Sequence, residues 1–223
     1  MASKKYTYYS KLYRDFKEID QTAYQDIIRF YEDREEAIRK LDFYEYFEAF
    51  VSYVNALFQV GAYQSHLLMV DVLIETVIEE NIRIYKGKDL FKDALFKKAA
   101  SYFNIHEFHQ SEQLLQQYIR IYPNDEQGIL FLKKCLRKQR PTYLNNAHAI
   151  TIFVLLLTAL VIAIEVLFVR PFYNMHTSLI EQTRNSMFFF ACSVLVGATL
   201  YQRWQVELQV ERFVKEIRDK QKG

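Results

Sequence analysis

Apolar side chains recur every three to four positions along most of this chain, and that spacing predicts one helix after another. Tyr6, Tyr9, Tyr13, Phe16 and Ile19 fall on one face of a first helix over residues 6–20. Asp33 is a candidate N-cap, with Glu35 and Glu36 favourable in the turn that follows. From there Ile38, Leu41, Phe47, Phe50, Val51, Val54, Leu57 and Phe58 keep helical spacing to Gly61. Leu67, Leu68, Val70, Leu73, Ile74, Val77, Ile78 and Ile82 mark a second long helix, expected to stop near Gly87. Asp89 can start the next. Residues 89–103 and 108–122 predict a further pair ending at Pro123, and a last helix covers 125–139 before Pro141. Short turns between successive helices predict an antiparallel array.

The pattern then changes. Residues 147–169 are almost continuously apolar, and Glu165 near their far end is the one acid. Crossing a bilayer takes about 20 such residues. A shorter uncharged stretch covers 186–202. Together they predict a transmembrane hairpin. A tail over 204–223 follows, with Val206, Val210, Phe213, Val214 and Ile217 on one stripe. The expected organisation is therefore all-α: a cytosolic helical domain over 1–140, the hairpin over 141–203, and an amphipathic tail. Within the hairpin, Glu165 is placed to reach the outer interface or to pair with Arg170 or Arg184, and an intramembrane acid is also a functional candidate. Ser193 and Gly197 make a small-xxx-small step that lets helices approach, within the hairpin or in a homo-oligomer. Phe188, Phe189 and Phe190 on one side, and Tyr201 and Trp204 on the other, read as interfacial anchors.

Charge orients the hairpin. The chain of 223 residues has 29 basic and 27 acidic side chains, so net charge does not point to nucleic acid. Lys133, Lys134, Arg137, Lys138 and Arg140 precede the first apolar run, and six more basic residues follow the second. The loop between them has only Arg170, Arg184 and His176. Excess Lys and Arg mark the cytoplasmic side, so both termini are expected there. The run 133–140 is also suited to anionic lipid headgroups. Two cysteines, Cys135 and Cys192, make no disulfide framework and read as reduced thiols. The charged N-terminus predicts no cleaved leader, and Ala2 in place of Gly predicts no myristoylation. A bacterial inner membrane is the expected location.

Leu95, Ala99, Tyr102, Phe108, Ser111, Leu115 and Pro123 follow a spacing that resembles one tetratricopeptide repeat over residues 92–125. Small residues at such spacing let two helices approach, and aromatics fill the groove between repeats. Tyr118, where the pattern wants a small residue, is a departure. Residues 60–68 look like the turn of an earlier repeat, with Tyr63 matching Phe108, although the separation exceeds one repeat. The helix after Pro123 resembles a capping helix. A plain helical bundle is the alternative. The resemblance implies partner binding on the first helix of each repeat: Asp93, Phe96, Ala100, Phe103 and Asn104, with Glu48, Val51, Asn55, Phe58 and Gln59 from the earlier one. That surface is more aromatic and apolar than charged, and the Lys/Asn pattern that clamps a terminal carboxylate is missing apart from Asn55. A helix or an apolar peptide is the expected protein partner.

Local motifs do not suggest an enzyme. His106 and His109 fall on an expected turn without a third metal ligand near in sequence, and Tyr85-Lys-Gly-Lys lacks the rest of a P-loop. No metal or cofactor is expected. The sequence thus points to a membrane-anchored adaptor or scaffold. The alternatives are an oligomerising two-helix membrane effector or pore with a sensing helical domain, and an accessory subunit of a transport or secretion complex.

Overall fold

A computed structural model describes residues 10–139, 142–164, 166–167 and 177–222. Tyr6, Tyr9, Arg140, Glu165, Arg170 and His176, and the side chain of Arg184, lie outside the described residues. The chain divides into two compact units, Met1–Gly128 and Ile129–Gly223. The boundary falls inside a helix and earlier than the composition shift near residue 140.

The first unit is a helical array. It contains α1 (Lys11–Lys17), α2 (Tyr24–Asp33), α3 (Glu35–Ile38), α4 (Phe43–Gln59) and α5 (Tyr63–Glu79). A two-stranded hairpin follows, β1 (Ile84–Tyr85) with β2 (Lys88–Asp89), then α6 (Leu90–Asn104) and α7 (Phe108–Ile121). α4 packs on α2 and α5, α5 on α6, and α6 on α7. Tyr31, Phe47, Phe50, Val54, Leu57, Val70 and Leu73 are buried in one apolar core. At the α6–α7 pair, Ala99 and Ser111 are fully buried, and the Ser111 hydroxyl donates to the Ala99 carbonyl at 2.9 Å. Only small side chains permit that approach.

Local chemistry explains where the helices break. Asp33 ends α2 rather than capping the next long helix. The helix expected to run from there to Gly61 is interrupted, because Asp42 turns its carboxylate back to the Tyr44 N–H at 3.4 Å and restarts the chain as α4. α5 stops at Glu79, short of Gly87. Asn81 adopts φ +51° and Ile82 N–H returns to the Val77 carbonyl at 2.9 Å, which closes the helix end. Gly87 instead serves the hairpin turn, where Lys86 (φ +49°) and Gly87 (φ +77°) are both left-handed, as a two-residue hairpin turn requires. Asp89 caps α6, accepting from Lys92 N–H at 2.9 Å.

α8 (Glu126–Lys138) crosses the boundary between the units. The second unit continues with α9 (Thr142–Ile164) and α10 (Thr177–Lys222), which pack against one another. Thr151, Thr158, Ala191 and Gln202 are buried there, and both threonine hydroxyls donate back to the carbonyls four residues earlier, at 2.8 Å. α10 is one unbroken helix of 46 residues that runs on past Trp204 through the amphipathic tail, and it starts earlier than the apolar stretch from residue 186. It has no proline, and its stripe Val206, Val210 and Val214 stays buried well past the apolar segment. Glu207 of α10 accepts from Lys133 and, at 2.7 Å, from Arg137 of α8. Those contacts put the C-terminal half of α8 with the second unit. Among the described residues one helix, Asn145–Ile164, is long and apolar enough to cross a membrane, with a mean hydropathy of 2.6.

Candidate functional site

Helical spacing puts Glu48, Val51, Asn55 and Gln59 along one face of α4, and Leu90, Asp93 and Lys97 along one face of α6. These faces, with Phe16 and Lys17 of α1 and Tyr85, Lys86 and Lys88 of the hairpin, line a cavity of about 400 Å³. Phe16, Ile27, Val51 and Leu90 are buried apolar side chains in its wall.

One wall is organised by Glu48. Its carboxylate accepts from the Tyr13 hydroxyl, from Lys17 at 2.9 Å and from Lys86 at 2.7 Å. These bonds connect α1 and the hairpin to α4. Burial works to raise the Glu48 carboxyl, but the hydrogen bonds from Lys86, Tyr13 and Lys17 outweigh it and hold it at about 2. The opposite wall is organised by Lys97, whose ammonium donates to Asn55 Oδ1 and to Asp93 Oδ2, each at 2.6 Å, and lies 5.9 Å from the Phe58 ring centroid. Tyr85 packs edge-on against Phe47 with ring centroids 5.5 Å apart, and its hydroxyl is buried without a hydrogen-bond partner among the described residues.

Behind Lys97 sits His66 of α5, which is fully buried. Its Nδ1 is 2.8 Å from the Ser101 hydroxyl of α6, and its Nε2 has no partner among the described residues. Burial, aided by Lys97 and opposed by Asp93 and Asp71, lowers its pKa to about 4. It is therefore neutral at physiological pH and acts as packing within the array.

The ten residues expected on a groove divide evenly. Glu48, Val51, Asn55, Gln59 and Asp93 line the cavity. Phe58, Phe96, Ala100, Phe103 and Asn104 do not. Phe96 packs on Tyr118 at 5.7 Å, Phe103 on Phe108 at 5.3 Å, and Phe58 on Tyr63 at 5.9 Å, so these rings fasten helices together. Sequence reasoning missed Lys17, Tyr85, Lys86, Lys88 and Lys97. The turn Lys86-Gly87 between Ile-Tyr and Lys-Asp was the available hairpin signal.

The residues singled out in the second unit are placed differently again. Lys133 and Arg137 are engaged by Glu207, whose carboxyl the Lys133 hydrogen bond holds below its ordinary value. Lys134 and Lys138 are exposed. Ser193 and Gly197 face outward, and a Cβ added at Gly197 would meet nothing within 4 Å. The contact between α9 and α10 therefore does not use them. Among the described residues no cluster of His, Cys, Asp or Glu is placed to hold a metal. Comparison of the chain with protein-family models, with curated proteins and with solved structures finds no match.

Proposed function

We propose that this protein is a membrane-anchored adaptor whose N-terminal unit receives a segment of a protein partner in the cavity between α4 and α6. The observation that supports the reading most is that cavity. It is of ligand size, and its wall combines buried apolar side chains with a few placed polar groups. Five of its residues belong to the face on which the tetratricopeptide resemblance expects partners. The successive packing of α4 on α5, α5 on α6 and α6 on α7 supports the same reading.

The anchor in this reading is a transmembrane hairpin formed by α9 and the apolar part of α10. Only 17% of the Asn145–Ile164 window is buried inside the protein. Phe153, Leu156 and Leu160 stand more than half exposed, and in water that apolar surface would be unfavourable. A bilayer removes the penalty. The excess of basic residues on α8 and the C-terminal part of α10 supports an orientation with both termini cytoplasmic, and the membrane in this reading is a bacterial inner membrane. Anchoring raises the effective concentration of the cavity at the bilayer without requiring chemistry.

An anchor swap tests the reading. Residues 142–202 are replaced by an unrelated two-helix anchor of the same orientation, and proximity labelling from the N-terminus records recruited soluble proteins. An adaptor keeps its labelled partner. A pore or membrane effector loses its function with its own hairpin, and that result would reject the adaptor.

A further inference from the structure

The charge on the cavity is not balanced, although the chain as a whole nearly is. Four lysines line it, Lys17, Lys86, Lys88 and Lys97, against two carboxylates, Glu48 and Asp93. Asp93 is matched by Lys97. Glu48 is shared between Lys17 and Lys86, and Lys88 is exposed with no ion pair among the described residues. Two positive charges are thus left uncompensated, all on the side formed by α1 and the hairpin. Next to them lie buried apolar side chains, among them Phe16 and Val51. We infer that the occupant of the cavity is a protein segment in which an acidic side chain stands beside a bulky apolar one, the acid meeting Lys86, Lys88 and Lys17 and the apolar group entering against Phe16 and Val51.

This inference rests on the adaptor reading and refines its partner from apolar to apolar and acidic. The space admits only two or three side chains, so recognition is by a short segment rather than by a whole helix laid along the array. Glu48 acts as an internal counter-charge that keeps two of the lysines in place while the cavity is empty. The incoming carboxylate adds to that network: Lys17 and Lys86 have side chains 43% and 54% exposed and donors left over. The preference is for an acidic side chain within a segment and does not depend on a free chain terminus. It is screened by salt, because the lysines are exposed.

A peptide-display library tests this. Random internal segments, with no free C-terminus displayed, are selected against the intact chain in detergent at low salt. Three variants are run in parallel, each checked for an unchanged melting profile: Lys86→Ala with Lys88→Ala, Lys88→Glu alone, and Asn55→Trp, which fills the cavity. The expected result is enrichment of Asp or Glu adjacent to Phe, Leu or Ile, falling about tenfold or more in both lysine variants and lost in Asn55→Trp. Neutral or basic sequences that enrich on the wild type and are lost in Asn55→Trp overturn the acidic preference and leave the adaptor standing. Enrichment of acidic sequences that is unchanged in the lysine variants overturns the assignment to this cavity. Absence of any enrichment sensitive to Asn55→Trp overturns this inference and the cavity reading together.

Discussion

Tyr118 and Gly128 share one small volume. Tyr118 is buried, and a Cβ built on Gly128 would lie 2.5 Å from its ring. The small residue that the repeat pattern wants at 118 has in effect moved to α8, ten positions on. Asp125 completes the arrangement, accepting from the Tyr118 hydroxyl and the Gly128 N–H at 2.9 Å each, and from Lys92 at 2.6 Å. Gly128→Ala is expected to destabilise the first unit by roughly 1–3 kcal/mol, because the ring has to shift out of a packed site. Thermal unfolding of the chain in detergent checks this, and a neutral substitution would contradict the packing. Tyr85→Phe works in the other direction. Removing a buried, unpartnered hydroxyl is expected to leave stability unchanged or raise it by up to about 1 kcal/mol. A clear loss would show that the hydroxyl has a partner. The change from Tyr118 to Gly128 was not legible in the sequence, since it couples two residues that only the folded chain brings together. The small pair Ala99 and Ser111 was legible, because the repeat resemblance implies a small residue at each of those positions.

At the level of elements, one carboxyl and one imidazole report on separate joints. Glu48 ties α1 and the hairpin to α4. Its folded value of about 2 lies below its ordinary 4.5, so its contribution is full above pH 4.5 and is lost as pH falls toward 2. His66 lies between α5 and α6. Its folded value of about 4 also lies below its ordinary 6.5, but here the neutral form is the one favoured by folding. The unfolded chain therefore binds the extra proton, and stability falls as pH drops from 6.5 toward 4. Denaturation of wild type, Glu48→Gln and His66→Gln across this range separates the two. Glu48→Gln is expected to flatten the lower window and His66→Gln the upper one. Equal slopes in all three proteins would contradict both assignments. Neither joint could be read from periodicity. The helices themselves could, because α4, α5, α6 and α7 each keep an apolar stripe. Their ends were harder to read. Asp33 was the expected cap, and the fold instead uses Asp42 to restart the chain. The hairpin escaped because strands of two residues leave no alternation to detect.

At the scale of the whole molecule, the apolar helix over Asn145–Ile164 and the array before it set two separate expectations. Leu156→Arg with Leu160→Arg puts two charges on exposed positions of that helix, at about 2.5–3.5 kcal/mol each on insertion scales. The double variant is expected to move from the membrane pellet to the soluble or aggregated fraction, whereas Leu68→Arg, on an exposed position of α5, is expected to stay in the pellet. Identical fractionation of both would count against a span. The change from a charged array to an apolar helix was plain from composition. The identity of the lining side chains was not, since the lysines that dominate the rim come from three elements separated in sequence.

Site-specific photocrosslinking in native membranes asks whether the cavity holds a protein partner. A photoreactive residue is placed at Gln59, exposed on the cavity rim, and separately at Glu75, exposed on α5 away from it. A partner-binding cavity gives a discrete protein adduct from position 59 that disappears when Asn55→Trp fills the cavity, and no such adduct from position 75. No adduct from position 59, or the same adducts from both positions, would contradict a partner-binding cavity.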